Sequence, residues 1–136
     1  GRERDLWIGR STPTQAAPAA YDGPLGFEPV EPPAHETALQ ALLGSLEIDH
    51  GVGRVYELPG GEGAARRHWA AYRQSGLRRY HLTRNDGADL AGVSGLSPYL
   101  RAGMIAAWEV ARDAQETGGE GAEKYLDELL TWRELA

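Results

Sequence analysis

The chain has 136 residues, 41% hydrophobic and 25% charged, enough for one ordinary soluble domain with its own core. It contains no cysteine, which excludes disulfides, thiolate metal sites and a cysteine nucleophile. A formal charge of −6 argues against wholesale phosphate contact, which Lys and Arg supply.

Seven of the eight prolines precede Gly60. Residues 1–34, with TPTQAAPAAYDGP and EPVEPP, read as an extended linker pinned by Trp7, Tyr21 and Phe27. From His35 the spacing of Ala38, Leu39, Leu42, Leu43 and Leu46 predicts a short amphipathic helix that Gly44 weakens. Residues 48–58 form a connector. Pro59-Gly60-Gly61-Glu62 then opens a strong helix with Ala65, Trp69 and Tyr72 on one face, stopped or bent at Gly76.

Leu77 to Thr83 predict a second short helix, and Arg84-Asn85-Asp86-Gly87-Ala88-Asp89 a loop, because Asn, Asp and Gly favour turns. Ser97-Pro98 marks another helix start, with Ser97 capping and Pro98 at the first helical position. That helix ends near Gly103. The next covers roughly Ala106 to Glu116 and stops at Gly118-Gly119. The last begins near Glu120, carries Tyr125, Leu126, Leu129 and Leu130 on one side, and shows no stop signal before Ala136, the mark of a truncated chain. No useful β-alternation occurs, so the expected fold class is all-α.

No apolar run approaches the ~20 residues that span a bilayer. The charged start, Gly1 to Arg10, lacks the apolar centre of a signal peptide. A cytoplasmic protein with no membrane partner is expected. Lys124 is the only lysine, and six arginines (Arg66, Arg67, Arg73, Arg78, Arg79, Arg84) lie in one central stretch. Such a run is either a solvated helix face or one side of a groove for DNA. His35, His50, His68 and His81 lack ligand spacing and are read as structural or solvent-facing; no metal site is expected.

The stretch Gly92-Val93-Ser94-Gly95-Leu96-Ser97-Pro98-Tyr99-Leu100 carries most of the chemical information. Small hydroxyl and glycine residues lead into a helix start, where backbone N–H groups meet an anion. By itself this describes any phosphate loop, or a capped helix that binds nothing.

Ser94, Leu96, Ser97, Pro98, Tyr99 and Leu100 match S-x-L-S-P-Y-L, and the chain here resembles the flavin-phosphate loop of DNA photolyases and cryptochromes. The resemblance covers roughly residues 59–136. It includes Pro59-Gly60-Gly61-Glu62, the pair Tyr80 and Arg84, and Trp132-Arg133-Glu134 as the family's W-R-E signature. The closing stretch, Glu128 to Ala136, is nearest to the class II branch. The resemblance implies that residues 35–136 are an incomplete FAD-binding helical domain.

It further implies that Tyr80, Ser94, Leu96 (through its backbone), Ser97 and Arg133 hold the FAD diphosphate. Trp132 would face a flipped pyrimidine dimer in UV-damaged DNA, and Arg84 would lie near the DNA backbone. No catalytic residue is assigned. Plain alternatives stand beside these roles: Trp132 in a core, Arg133 on a helix surface, Tyr80 stapling two helices.

Four positions depart from the family pattern. Val93 replaces a hydroxyl residue, Gly95 and Ala102 replace larger ones, and Leu129 stands where a dimer-contacting glutamate is usual, with Glu128 one position early. One residue of displacement on a helix turns a side chain by about 100°. In the family, reduced FAD excited by blue light passes an electron to the dimer, which splits. The remainder of the flavin domain would be a partner this chain needs, so alone it should bind FAD weakly or not at all and lack repair activity. A cryptochrome-like photosensor or a degenerate non-catalytic helical module is the alternative.

Overall fold

In the computed structural model the described residues are Gly23, Gly26, 31–53 and 55–135, with side chains of the last helix described through Thr131. Most of the expected linker, including Trp7, Tyr21 and Phe27, lies outside them. Every regular element among the described residues is helical, so the fold class is all-α. The chain divides into two units, Pro13–Glu57 and Leu58–Ala136 (with Gly1–Thr12).

The first unit holds α1, Glu36–Ser45. Its N-terminus is capped by an unanticipated group: His35 Nδ1 accepts from the Ala38 N–H at 3.2 Å. None of its residues is buried, and Leu39, Leu42 and Leu43 are exposed.

The second unit begins with α2, Glu62–Ser75, entered through Gly61 at φ 98°. Ala64, Ala65, Trp69 and Tyr72 are its buried face, the stripe that apolar spacing predicted. Gly76 is its C-cap, a position that suits glycine because a Cβ there would collide with the Tyr72 ring. The expected helix over Leu77–Thr83 splits into a 3₁₀ turn, Leu77–Arg79, and one α turn, α3, Tyr80–Thr83. The predicted turn from Arg84 follows, with Ala88 N–H on Asp86 Oδ1 at 3.0 Å. A further 3₁₀ turn, Leu90–Gly92, is capped by Asp89.

Three helices complete the unit: α4 (Ser97–Arg101), α5 (Ala107–Thr117) and α6 (Glu120–Leu135). Gly118 and Gly119 join the last two at φ 63° and 85°, a left-handed turn that glycine adopts without strain. Helix α6 packs against α5, α3 and the Leu77–Arg79 turn, while α2 packs on α5. The core between them comprises Trp69, Tyr72, Leu77, Leu96, Tyr99, Val110, Tyr125 and Leu126, with small alanines where helices approach. Leu77, Leu96 and Val110 are fully enclosed. Truncating such a side chain to alanine typically costs about 2–5 kcal/mol.

Candidate anion-binding loop

The loop from Gly92 to Tyr99 is fixed by three elements. Gly92 lies against α3, where a Cβ would press on Thr83 O at 2.8 Å. Its carbonyl accepts from Tyr72 Oη at 3.2 Å and from Thr83 Oγ1 at 3.1 Å. Two residues on, the Ser94 carbonyl lies 2.7 Å from His68 Nε2. A carbonyl only accepts, so that nitrogen carries the imidazole proton. At the far end Leu96 is buried, and Tyr99 Oη donates to Pro59 O at 3.0 Å.

Between these anchors the two serines differ. Ser94 is half-buried; its Oγ accepts from Tyr125 Oη at 3.0 Å and from the Leu96 N–H at 3.4 Å. Ser97 is exposed, and its expected capping role is not realised. Leu96, at φ −78° and ψ −10°, takes the cap position; Ser97 falls inside α4 with no side-chain cap bond, and Pro98 is second in the helix. Helix α4 is also only five residues long, so the loop offers local N–H groups and hydroxyls rather than a macrodipole. Neither the Ser97 hydroxyl nor its N–H has a hydrogen-bond partner among the described residues.

The departures at Gly95 and Val93 gain a physical context. Gly95 has φ 62°, and a Cβ would sit 3.2 Å from His68 Nε2, so a larger residue there would strain the backbone and press on the histidine. Val93 is 43% exposed and presents an apolar side chain beside the serines.

Tyr80 is half-buried on α3 and meets Tyr125 edge-on, ring centroids 5.0 Å apart at 73°. Burial, then the nearby Glu128 charge, raises its pKa above that of an ordinary tyrosine. Tyr125 thus joins Tyr80 to Ser94, and its own phenol is pushed up to about 12, chiefly by burial. Sequence reasoning placed Tyr125 only on an apolar stripe. The available signal was chemical: a buried phenol needs a hydrogen-bond partner. His68 belongs in the same category, a structural histidine that holds the loop.

Arg84 Nη1 lies 2.8 Å from Glu128 Oε1 on α6, and Lys124 Nζ is 2.9 Å from the same oxygen. Glu128 therefore faces α3 and is engaged by two cations. Arg84 is brought near Tyr80 but is not a free cation. The central arginines divide between roles. Arg66 pairs with Glu62 and Glu109, and Arg73 with Asp113 and Glu116, tying α2 to α5; Arg67, Arg78 and Arg79 are exposed. Trp132 and Arg133 lie in α6, and their side chains fall outside the described residues. No group of three metal-ligating side chains occurs among the described residues, nor does any helix there have the length and apolarity to cross a membrane.

No family model matches the chain, and no solved structure matches it. Among curated proteins it is 41% identical over 76 residues to the deoxyribodipyrimidine photo-lyases of two Thermus thermophilus strains. Those alignments cover 56% of this chain and 18% of each relative. The rice enzyme of the same name, from Oryza sativa subsp. japonica, is 29% identical over 107 residues, 76% of this chain and 17% of its own length. The chain spans less than a fifth of the curated relatives it matches, and what it shares with them is a partial, photolyase-like segment.

Proposed function

We propose that residues 35–136 are an incomplete FAD-binding helical domain of a photolyase-like flavoprotein, and that the Ser94–Ser97 loop receives the FAD diphosphate. The observation that carries this reading is the 41% identity to two photo-lyases, in a chain whose loop leaves the Ser97 hydroxyl exposed. The donor chemistry fits. Pyrophosphate oxygens are acceptors at neutral pH, and the loop offers two serine hydroxyls and the Ser97 N–H. Tyr80 stands beside Ser94 through Tyr125 and would contribute its phenol. Arg133 would add a guanidinium to the same phosphates. FAD, when bound, reduced and excited by blue light, would supply the electron that splits a pyrimidine dimer.

In this reading the protein's own work is to fix the loop, through Tyr72, His68 and Tyr125, and to present Trp132 to a flipped base of UV-damaged DNA. Arg84 would serve the DNA backbone only as part of its pair with Glu128. A second reading, a cryptochrome-like photosensor or a helical module without catalysis, is favoured by Val93 and by the engagement of Arg84.

The test is the full product of the gene, purified from cells. Flavin absorption bands, with light-dependent repair of UV-irradiated oligonucleotides, are the expected result. Flavin without repair would favour the photosensor; a colourless protein that takes up no FAD would refute the cofactor assignment and favour the non-catalytic module.

A further inference from the structure

We infer that Tyr125 is a positioning residue that makes the Ser94 hydroxyl a hydrogen-bond donor only, aimed at an oxyanion in the loop. This rests on the diphosphate reading above and goes beyond it by naming what sets the serine's polarity.

A serine hydroxyl has one proton to give and two lone pairs to receive. On Ser94 both lone pairs are taken, by Tyr125 Oη at 3.0 Å and by the Leu96 N–H at 3.4 Å. The direction of the first bond follows from chemistry. A phenol is the stronger acid and better donor, and this one is 5% exposed with Ser94 Oγ as its hydrogen-bond partner. Like any tyrosine it is protonated at neutral pH. The Ser94 proton is then the group's remaining valence, and Ser94 is half-buried where Tyr125 is buried.

The other half of the residue is equally constrained. His68 Nε2 grips the Ser94 carbonyl at 2.7 Å, and Gly95 passes close over the same imidazole. Tyr125 cannot drift, because its ring stacks on Trp69 at 5.5 Å and 26° and meets Tyr80 edge-on. Peptide and hydroxyl of Ser94 are thus set by separate side chains, His68 and Tyr125, before any ligand arrives. A hydroxyl that only donates suits an oxygen that only accepts, which is the state of a pyrophosphate diester at neutral pH.

The experiment uses ADP as the probe and the amide signals of Gly95 and Ser97 in the 136-residue chain. Tyr125→Phe keeps the ring and deletes only the hydroxyl. A thermal melt of each variant sets a temperature at which all are folded. Y125F should weaken ADP binding about three- to tenfold, the effect of one neutral hydrogen bond. S94A, which deletes the bond to the charged oxygen itself, should weaken it at least as much, and S94A/Y125F no further than S94A alone, because the tyrosine acts through the serine. Tyr72→Phe, which loses a bond to Gly92 O instead, should add to S94A independently. If S94A weakens binding while Y125F does not, or the two losses add, the positioning role is overturned and the diphosphate reading stands. If ADP moves neither amide, in this chain or in the full product of the gene, both fall.

Discussion

Gly121 of α6 lies directly against the backbone of Leu77, so close that a methyl group would overlap the carbonyl oxygens of Leu77 and Arg78. This contact seats α6 on the turn that leads into α3, and it places Tyr125 and Glu128 beneath Tyr80 and Arg84. Gly121→Ala should therefore destabilise the chain by about 1–3 kcal/mol or more, since neither carbonyl can retreat without moving its turn. Gly63→Ala meets only Arg67 Nη1 at 3.4 Å and should stabilise by about 0.4–1 kcal/mol. Urea unfolding followed by helical circular dichroism measures both. A neutral G121A would mean that α6 does not rest on this turn.

The Arg84–Glu128 pair makes a prediction about charge. Both side chains keep contact with water (28% and 22% exposed), so Glu128→Gln should cost no more than about 1 kcal/mol, less at high salt. The same change releases Arg84, while Lys124, which shares that oxygen, keeps its pair with Asp127 at 2.9 Å. Affinity for a single-stranded oligonucleotide should rise, and the salt slope should steepen by about 0.7 for one added phosphate contact. Fluorescence anisotropy across a salt series checks this, with R84A/E128Q as the control that should abolish the gain.

The buried tyrosines predict alkaline sensitivity. Tyr72, Tyr80 and Tyr125 are all raised, each mainly by burial of the phenol, and Tyr125 reaches about 12. An unfolded tyrosine titrates near 10. Between those values the folded state holds a proton that the unfolded state has lost, so stability falls as pH rises. The contribution of Tyr125 is complete below pH of about 10 and is lost as pH rises toward about 12. Unfolding midpoints over that window should decline, and Y125F should flatten the decline by up to about 1.4 kcal/mol per pH unit.

Much of the helical framework was legible because its signals are local. Ala65, Trp69 and Tyr72 recur at helical spacing, Gly118-Gly119 supplies two left-handed residues in a row, and Asp86 bonds two residues ahead. Where local signals are ambiguous the structure departs from the sequence expectation. The Ser97 cap moved to Leu96 because Leu96 adopts helical angles, and the Leu77–Thr83 segment tightened into a 3₁₀ turn.

The candidate site was legible in its residue types and not in its connections. Tyr125 and Ser94 are 31 residues apart, Arg84 and Glu128 are 44 apart, and His68 and Ser94 are 26 apart. Periodicity tells which side chains face inward; it does not tell which buried phenol meets which loop. The pairing of Arg66 and Arg73 with α5 was hidden for the same reason, so a single basic run contained both helix ties and exposed cations.

The most direct measurement is a titration of the chain with FAD and, separately, with riboflavin, which shares the ring but has no phosphate. Amide shifts should be weak, saturable, confined to the Ser94–Tyr99 segment, produced by FAD and not by riboflavin, and reduced in S94A/S97A. Equal shifts from both compounds, or shifts by FAD undiminished by removal of both hydroxyls, would contradict a diphosphate-binding role for this loop.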